Sequence, residues 1–384
     1  MAQGAIVALV RCETYDRSCV ESAIARGMRL LGDDIAERLA GHRSILIKPN
    51  MLQASEPDRA ACTHPAVFSA VIAWLKSMNP DLDICYGDSP AAVTPGYAAR
   101  RNGLAEAADE AHVPMANFTN GQDIHAPPAC RNRQFHLADG VMESDGVVSI
   151  SKLKTHGFVG MTGAVKNLFG CIPGLRKAEY HALFPDPYDF CRMLVEVTLT
   201  IAPLIHIMDA IVAMEGNGPN AGRPRSVHAL LMSVDPVALD SVAADLIGIP
   251  HSRVHTLEWG ERLGLGTSRS LTILGDTIES LCVREFEIPS PSGFHSSSPV
   301  IRLFRRWVST RPTIIAERCV RCGQCVQICP VTPKALEIKN KKAIPQYQYS
   351  RCIRCFCCHE VCPEQAIDLR VPLPGRILRN MPLR

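Results

Sequence analysis

The chain has 384 residues, 47% hydrophobic and 21% charged, which is enough apolar material for a sizeable core. Its formal net charge is only +3, so no global basic field points to nucleic acid. No run approaches the ~20 apolar residues of a membrane-spanning helix. The opening MAQGAIVALVRCETYD lacks the basic start, long apolar core and cleavage site of a signal peptide, so a cytoplasmic protein without membrane association is expected.

Residues 1–285 alternate strand-like apolar runs with helical patterns. AIVALV reads as a strand, 18–31 and 33–40 as helices, and 44–48 as a buried strand. Val67, Ala70, Val71 and Trp74 recur at three-to-four spacing and predict a helix over 65–77. LDICYGD is a strand and 95–111 a helix. DGVVSI, IHIMDAIV, HALLMSV and LTILG are further strands, with helices over 189–201 and 237–247. This alternation predicts an α/β fold: a mostly parallel sheet with helices on both faces.

In such sheets ligands gather at the C-terminal ends of strands, and polar residues fall there. Lys48 and Asn50 follow ILI, Asp88 follows DICYG, and Lys152, Lys154 and His156 follow VVSI. Asp209 and Glu215 follow IHIM, and Asp235 follows LLMSV. The densest stretch, SKLKTHGFVGMTGAVKNLFGCIPG over 151–174, adds Lys166 and Asn167 among five glycines; Lys177 and His181 lie just beyond. Lysines bind anions as point charges, and glycines let backbone approach a ligand. No Walker loop or dinucleotide fingerprint is present. The expected ligand is therefore an anionic small molecule, carboxylate or phosphate. Lys154, Lys166 and His156 are the candidate catalytic residues, with His156 as proton donor. Lys48, Asn50, Asp88, Lys152, Asn167, Glu215 and Asp235 are candidate substrate-binding residues.

KPN, THP, GDSP, SKLKTH, TGAVKNLFG, IPG, MDAIVAMEGNGP and SVDPVALD together resemble the family called domain of unknown function 362, over nearly all of 1–285. The resemblance implies a fold and an association with ferredoxin-like segments, but no reaction.

A Pro/Ser-rich linker is expected over 286–311. Within it, Val300–Val308, with Arg302, Arg305, Arg306 and Trp307, reads as a short amphipathic helix packing between domains.

Nine of the seventeen cysteines lie between Cys319 and Cys362. Cys319, Cys322, Cys325 and Cys329 follow C-x2-C-x2-C-x3-C and precede Pro330; Cys352, Cys355, Cys358 and Cys362 repeat the spacing before Pro363. In that pattern three close cysteines wrap one cluster and the fourth serves the other. The expectation is two [4Fe–4S] clusters, one on Cys319, Cys322, Cys325 and Cys362, the other on Cys352, Cys355, Cys358 and Cys329. Zinc knuckles would pair two C-x-x-C units without the third close cysteine. Cys357 is spare. Residues 312–372 resemble bacterial two-cluster ferredoxins, a small α+β domain, followed by a tail over 373–384.

These features predict an iron–sulfur electron-transfer protein: a ferredoxin-coupled oxidoreductase acting on an anion and served by a redox partner protein. The alternatives are a non-catalytic carrier or maturation factor that docks a partner protein, and a non-redox enzyme with structural or sensing clusters.

Overall fold

In the first strand, β1 (Ala5–Arg11), Ala8 and Val10 point into one core and Val7 and Leu9 into another, so the strand is buried on both faces. The computed structural model describes residues 4–32, 34–289, 309–340 and 343–374. The remaining strands, in chain order, are β2 (Ser44–Lys48), β3 (Asp83–Tyr86), β4 (Gly121–His125), β5 (Gln134–Ala138), β6 (Gly146–His156), β7 (Gly160–Thr162), β8 (Ile205–Glu215), β9 (Arg223–Ser233) and β10 (Leu271–Gly275). β11 (Arg311–Ile314), β12 (Leu336–Glu337), β13 (Gln346–Tyr347) and β14 (Ile367–Arg370) complete the chain.

The main sheet runs β10-β1-β9-β8-β6-β2-β3, with β7 added to β6. Along this path every strand is parallel to β1 except β9, which runs antiparallel to both its neighbours. The short hairpin strand β7 is antiparallel to β6. The fold is therefore α/β, mostly parallel. Helices Arg17–Leu31 and Pro65–Met78 bury Ile24, Met28, Val67 and Phe68 in the core on one face of the sheet. Helices Pro187–Ile201 and Pro236–Leu246 build the two cores opposite. β1 is buried in this sheet and β10 pairs with it as the edge strand, so segments near both limits of the large domain belong to one sheet.

Two elements differ from the sequence reading. The helix expected over 95–111 breaks into Pro95–Arg101 and Leu104–Glu110, because Gly103 takes a left-handed φ of 72° between them. The strand expected to end at DGVVSI continues through SKLKTH to His156 and is buried along its whole length. The polar side chains of this added stretch find partners inside the fold.

The C-terminal unit is small and α+β: β11 pairs with β14, β12 with β13, and two short helices, Gln324–Gln327 and Cys357–Glu360, carry cysteines. The unit docks on the large domain through the loop after β8. Asn220 Nδ2 donates to the carbonyls of Glu360 (3.1 Å) and Cys362 (2.9 Å), and Gln365 Nε2 donates to Asn220 O (3.0 Å). Asn217 Nδ2 donates to Asp368 at 3.2 Å. The amphipathic segment at Val300–Val308, with Trp307, lies outside the described residues, as do 375–384 of the tail.

Candidate functional site

Three parallel strands deliver polar side chains to one cavity of about 70 Å³. Lys48 ends β2, Asp88 follows β3, and Lys154 lies near the end of β6. Lys48 Nζ is buried 3.0 Å from Asp88 Oδ1 and donates to Asn167 Oδ1 (3.0 Å) and Pro49 O (3.0 Å). The Asp88 carboxylate also accepts from the N–H groups of Met51 (2.6 Å) and Ser89 (2.8 Å). Lys154 Nζ donates to Asn50 Oδ1 (2.8 Å) and Ala61 O (2.6 Å), and Asn50 in turn donates to Asn167 Oδ1. Gly170 closes against this network. A Cβ there would lie 1.9 Å from Asp88 Oδ1 and 2.7 Å from Lys48 Nζ, so only glycine lets the backbone approach.

Helix Arg176–Leu183 supplies Lys177 and His181 to the wall, and the short helix Ala164–Asn167 supplies Lys166. Lys177 Nζ donates to Ser89 Oγ (2.9 Å) and Ile172 O (2.8 Å). Lys166 Nζ sits 5.8 Å from the Phe169 ring centroid. His181 is buried, and its Nδ1 has no hydrogen-bond partner among the described residues. Burial pushes the ammonium groups of Lys154 and Lys177 down to about 7 and lowers that of Lys166, although Glu360 opposes the last shift. Burial likewise lowers His181 to about 3.

The remaining wall comes from the C-terminal unit, through Ile328, Cys357, Glu360 and Val361. Burial opposes ionisation of Glu360, but its neighbours, His156 first and then Lys166 and His181, hold it below the usual carboxylate range. The sequence reading missed Glu360, because only the docking of the two units brings it to the lysines.

Six candidates, Lys48, Asn50, Asp88, Lys154, Lys166 and Asn167, thus line one cavity. Four others lie elsewhere. Lys152 points into a separate buried cluster, donating to Asp209 Oδ2 (2.8 Å) and Tyr15 Oη (2.7 Å), with the Tyr15 ring stacked on His64 at 3.6 Å. The register of β6 against β8 shifts between Lys152 and Lys154 and separates the two environments. His156 stands behind the cavity wall. Its Nδ1 accepts from Phe158 N–H (3.1 Å), which leaves the proton of the neutral ring on Nε2. Nε2 approaches Glu360 Oε1 to 3.3 Å without hydrogen-bond alignment. Glu215 accepts from Glu287 N–H (3.0 Å) and pairs with Arg223 (3.6 Å). Asp235 caps helix Pro236–Leu246 by accepting from Val237 and Ala238. Both do local structural work.

The cysteines line two smaller cavities of about 20 Å³ each. Cys319, Cys322, Cys325 and Cys362 border one; Cys329, Cys352, Cys355 and Cys358 border the other, together with Cys357. The two loops share a backbone device: Arg321 and Gly323 in the first, and Arg354 and Phe356 in the second, all have φ between 61° and 78°. Left-handed residues at alternate positions let backbone N–H groups turn toward an anionic group. Ala335 N–H donates to Cys329 Sγ (3.4 Å), Ala366 N–H donates to Cys362 Sγ (3.2 Å), and Tyr347 Oη lies 3.2 Å from Cys358 Sγ. Soft sulfur donors around a cavity, with donors aimed at the sulfurs, fit an iron–sulfur cluster. Among the described residues, no group of three or more His, Cys, Asp or Glu converges to hold a single metal ion.

Residues 45–245 match the family described as domain of unknown function (DUF362). The chain belongs to this family. Residues 311–363 match a 4Fe-4S dicluster domain, so the protein carries an iron–sulfur, electron-transfer unit. A protein of Synechocystis sp. named "thylakoid-associated protein" is 34% identical over 285 residues, covering 74% of this chain and 87% of its own length. Among solved structures, the lactate racemase apoprotein from Thermoanaerobacterium thermosaccharolyticum superposes with a TM-score of 0.43 at 13% identity, covering 64% of this chain and 58% of that one. A Thermotoga maritima protein does so with a TM-score of 0.36 at 10% identity, covering 66% and 60%. The matched part spans less than two thirds of either solved chain. No helix among the described residues is long and apolar enough to cross a membrane.

Proposed function

We propose that this protein is a ferredoxin-coupled oxidoreductase that binds a small anion in the lysine cavity and exchanges electrons with it through two [4Fe–4S] clusters. One cluster is held by Cys319, Cys322, Cys325 and Cys362, the other by Cys352, Cys355, Cys358 and Cys329. The observation that carries this reading is the shared wall: Cys357 lines both the lysine cavity and the cavity of the second cysteine set. When bound, such clusters supply single electrons. The chain's own residues do the rest. Lys154, Lys166 and Lys177 hold the anion, and the Lys48–Asp88 pair fixes Asn50 and Asn167 beside it. His181 faces the cavity with its Nδ1 free to bond a ligand, and His156, the proton donor expected from the sequence, sits against Glu360 at the cavity wall.

The two cysteine sets differ in exposure. Cys322 is exposed and Val320 is 61% exposed, whereas Cys355 and Cys358 are buried. A redox partner protein therefore meets the first set, and the ligand meets the second. None of the seventeen cysteines is paired in a disulfide, which suits a reducing compartment, and we place the protein in the cytoplasm. The name of the Synechocystis relative associates that protein with thylakoids.

The test is mass spectrometry of small molecules released from anaerobically purified full-length protein and from its Lys154→Ala and Lys166→Ala variants. An anion released from the wild type, absent from both variants, and able to reoxidise dithionite-reduced protein is the expected result. Iron-loaded protein whose released small molecules are the same in all three forms would overturn the reading.

A further inference from the structure

Of the five cysteines in RCIRCFCCHEVCP, the third, Cys357, has the wrong spacing for a ligand, yet it occupies the most informative position in the unit. Cys357 begins the short helix Cys357–Glu360 and is buried. Its side chain lines the same small cavity as Cys355, two residues away, where a thiol can donate a hydrogen bond toward the Cys355 sulfur. On its other side it lines the lysine cavity together with Lys166. A second feature marks the cavity as built for a ligand: the Nδ1 of His181, a side chain only 3% exposed, lines it without a hydrogen-bond partner among the described residues.

We propose that Cys357 is a positioning residue that couples the charge state of the lysine cavity to the reduction potential of the second cluster, so that an anion bound beside Lys166 makes that cluster harder to reduce and a stronger donor once reduced. The inference rests on the proposed function and adds the coupling to it.

Hydrogen bonds to ligand sulfurs and nearby net charge set the potential of an iron–sulfur centre. A Cys357 thiol that donates toward the Cys355 sulfur and a cation at Lys166 would both favour the more negative, reduced state, because added negative charge is stabilised by nearby positive charge and by donors. An anion cancels the cation and reverses that preference. Coupling of this kind is reciprocal: if the anion lowers the potential, reduction weakens anion binding by the same factor. Each turnover begins with one electron from an external low-potential donor protein, or from dithionite in the test, which is oxidised by one electron as the centre is reduced. A two-electron product requires this twice, with any protons drawn from the cavity side.

The experiment is a potentiometric titration followed by electron paramagnetic resonance. It uses anaerobically iron-loaded full-length protein and its Lys166→Met, Cys357→Ala and Cys357→Ser variants. In Lys166→Met and Cys357→Ala, one of the two midpoint potentials is expected to fall. The expected size is about a tenfold change in the reduction equilibrium, about 59 mV for a one-electron couple. The other midpoint stays put and serves as the internal control. Cys357→Ser keeps a donor and retains most of the wild-type potential, and iron per chain is unchanged throughout. Potentials unmoved in both Lys166→Met and Cys357→Ala would overturn the coupling, as would equal shifts of both centres. Iron lost from Cys357→Ala would overturn it too, by making Cys357 a ligand. In those cases the proposed function survives. Wild-type protein that takes up no iron would remove both.

Discussion

Anion binding in the lysine cavity is expected to weaken steeply as pH rises, and the structure sets the size of the effect. Lys154 and Lys177 are held near 7 by burial, so in the free protein both are about half deprotonated at pH 7 and almost fully so by pH 9. A bound anion favours the charged ammonium and raises both values. Binding therefore takes up protons and is strongest where the lysines are already charged, below about pH 7. Each lysine that must be reprotonated costs about 1.4 kcal/mol per pH unit above 7, so affinity falls by up to about tenfold per unit for each. Lys177→Gln removes one of the two and should leave about half of the slope. Sulfate is the appropriate probe, because its own charge is constant over this range. Calorimetric titration of iron-loaded full-length protein, in buffers of different ionisation heat, reads affinity and proton uptake together. Sulfate affinity that stays within about twofold from pH 7 to pH 9, with no proton uptake, would refute the reasoning.

Asp88→Asn strips the buried Lys48 ammonium of its counter-ion and should cost about 3–5 kcal/mol in anaerobic urea unfolding. Lys48→Met should cost less, because Asp88 keeps the N–H groups of Met51 and Ser89; a larger cost for Lys48→Met would contradict this asymmetry. Gly170→Ala forces a Cβ into the Asp88 carboxylate and should destabilise by about 1–3 kcal/mol while weakening sulfate binding, and an alanine variant with wild-type stability and affinity would show that the wall yields freely. Lys152→Met should lower stability by on the order of 3 kcal/mol, yet leave sulfate affinity unchanged, because its partners are Tyr15 and Asp209. Cys358→Ala should lose the iron of one cluster by elemental analysis of anaerobic protein; full iron retention would remove it from the proposed ligand set.

The fold and part of the site were legible in the sequence for local reasons. The strand runs and helix spacings record burial directly, and β2 came out with the expected limits because its apolar run is short and bounded. Lys48, Asn50, Asp88 and Asn167 could be grouped because each sits in a short motif at a strand end or in the glycine-rich stretch. The misplacements have tertiary causes. The strand was read to end at DGVVSI because SKLKTH is polar, but Lys152 and Lys154 are satisfied inside the fold by Asp209 and Asn50, residues distant in the chain. Asp235 and Glu215 were polar residues at strand ends, and the structure uses one as a helix cap and the other as a brace for Glu287. Nothing in the spacing of the cysteines says which way the unit faces. That Cys357 and Glu360 close the lysine cavity follows from the docking on Asn217 and Asn220. The MEGNGP motif hinted at a site there, but not at a domain contact.

The central claim is that one iron–sulfur centre abuts the lysine cavity while the other faces outward. Anomalous diffraction at the iron edge from anaerobically grown crystals tests it most directly. The account predicts two iron peaks: one enclosed by Cys319, Cys322, Cys325 and Cys362, the other by Cys329, Cys352, Cys355 and Cys358, with Cys357 between the second peak and Lys166. Anomalous signal at the zinc edge alone, or a second iron peak bound through Cys357 in place of Cys358, would contradict it.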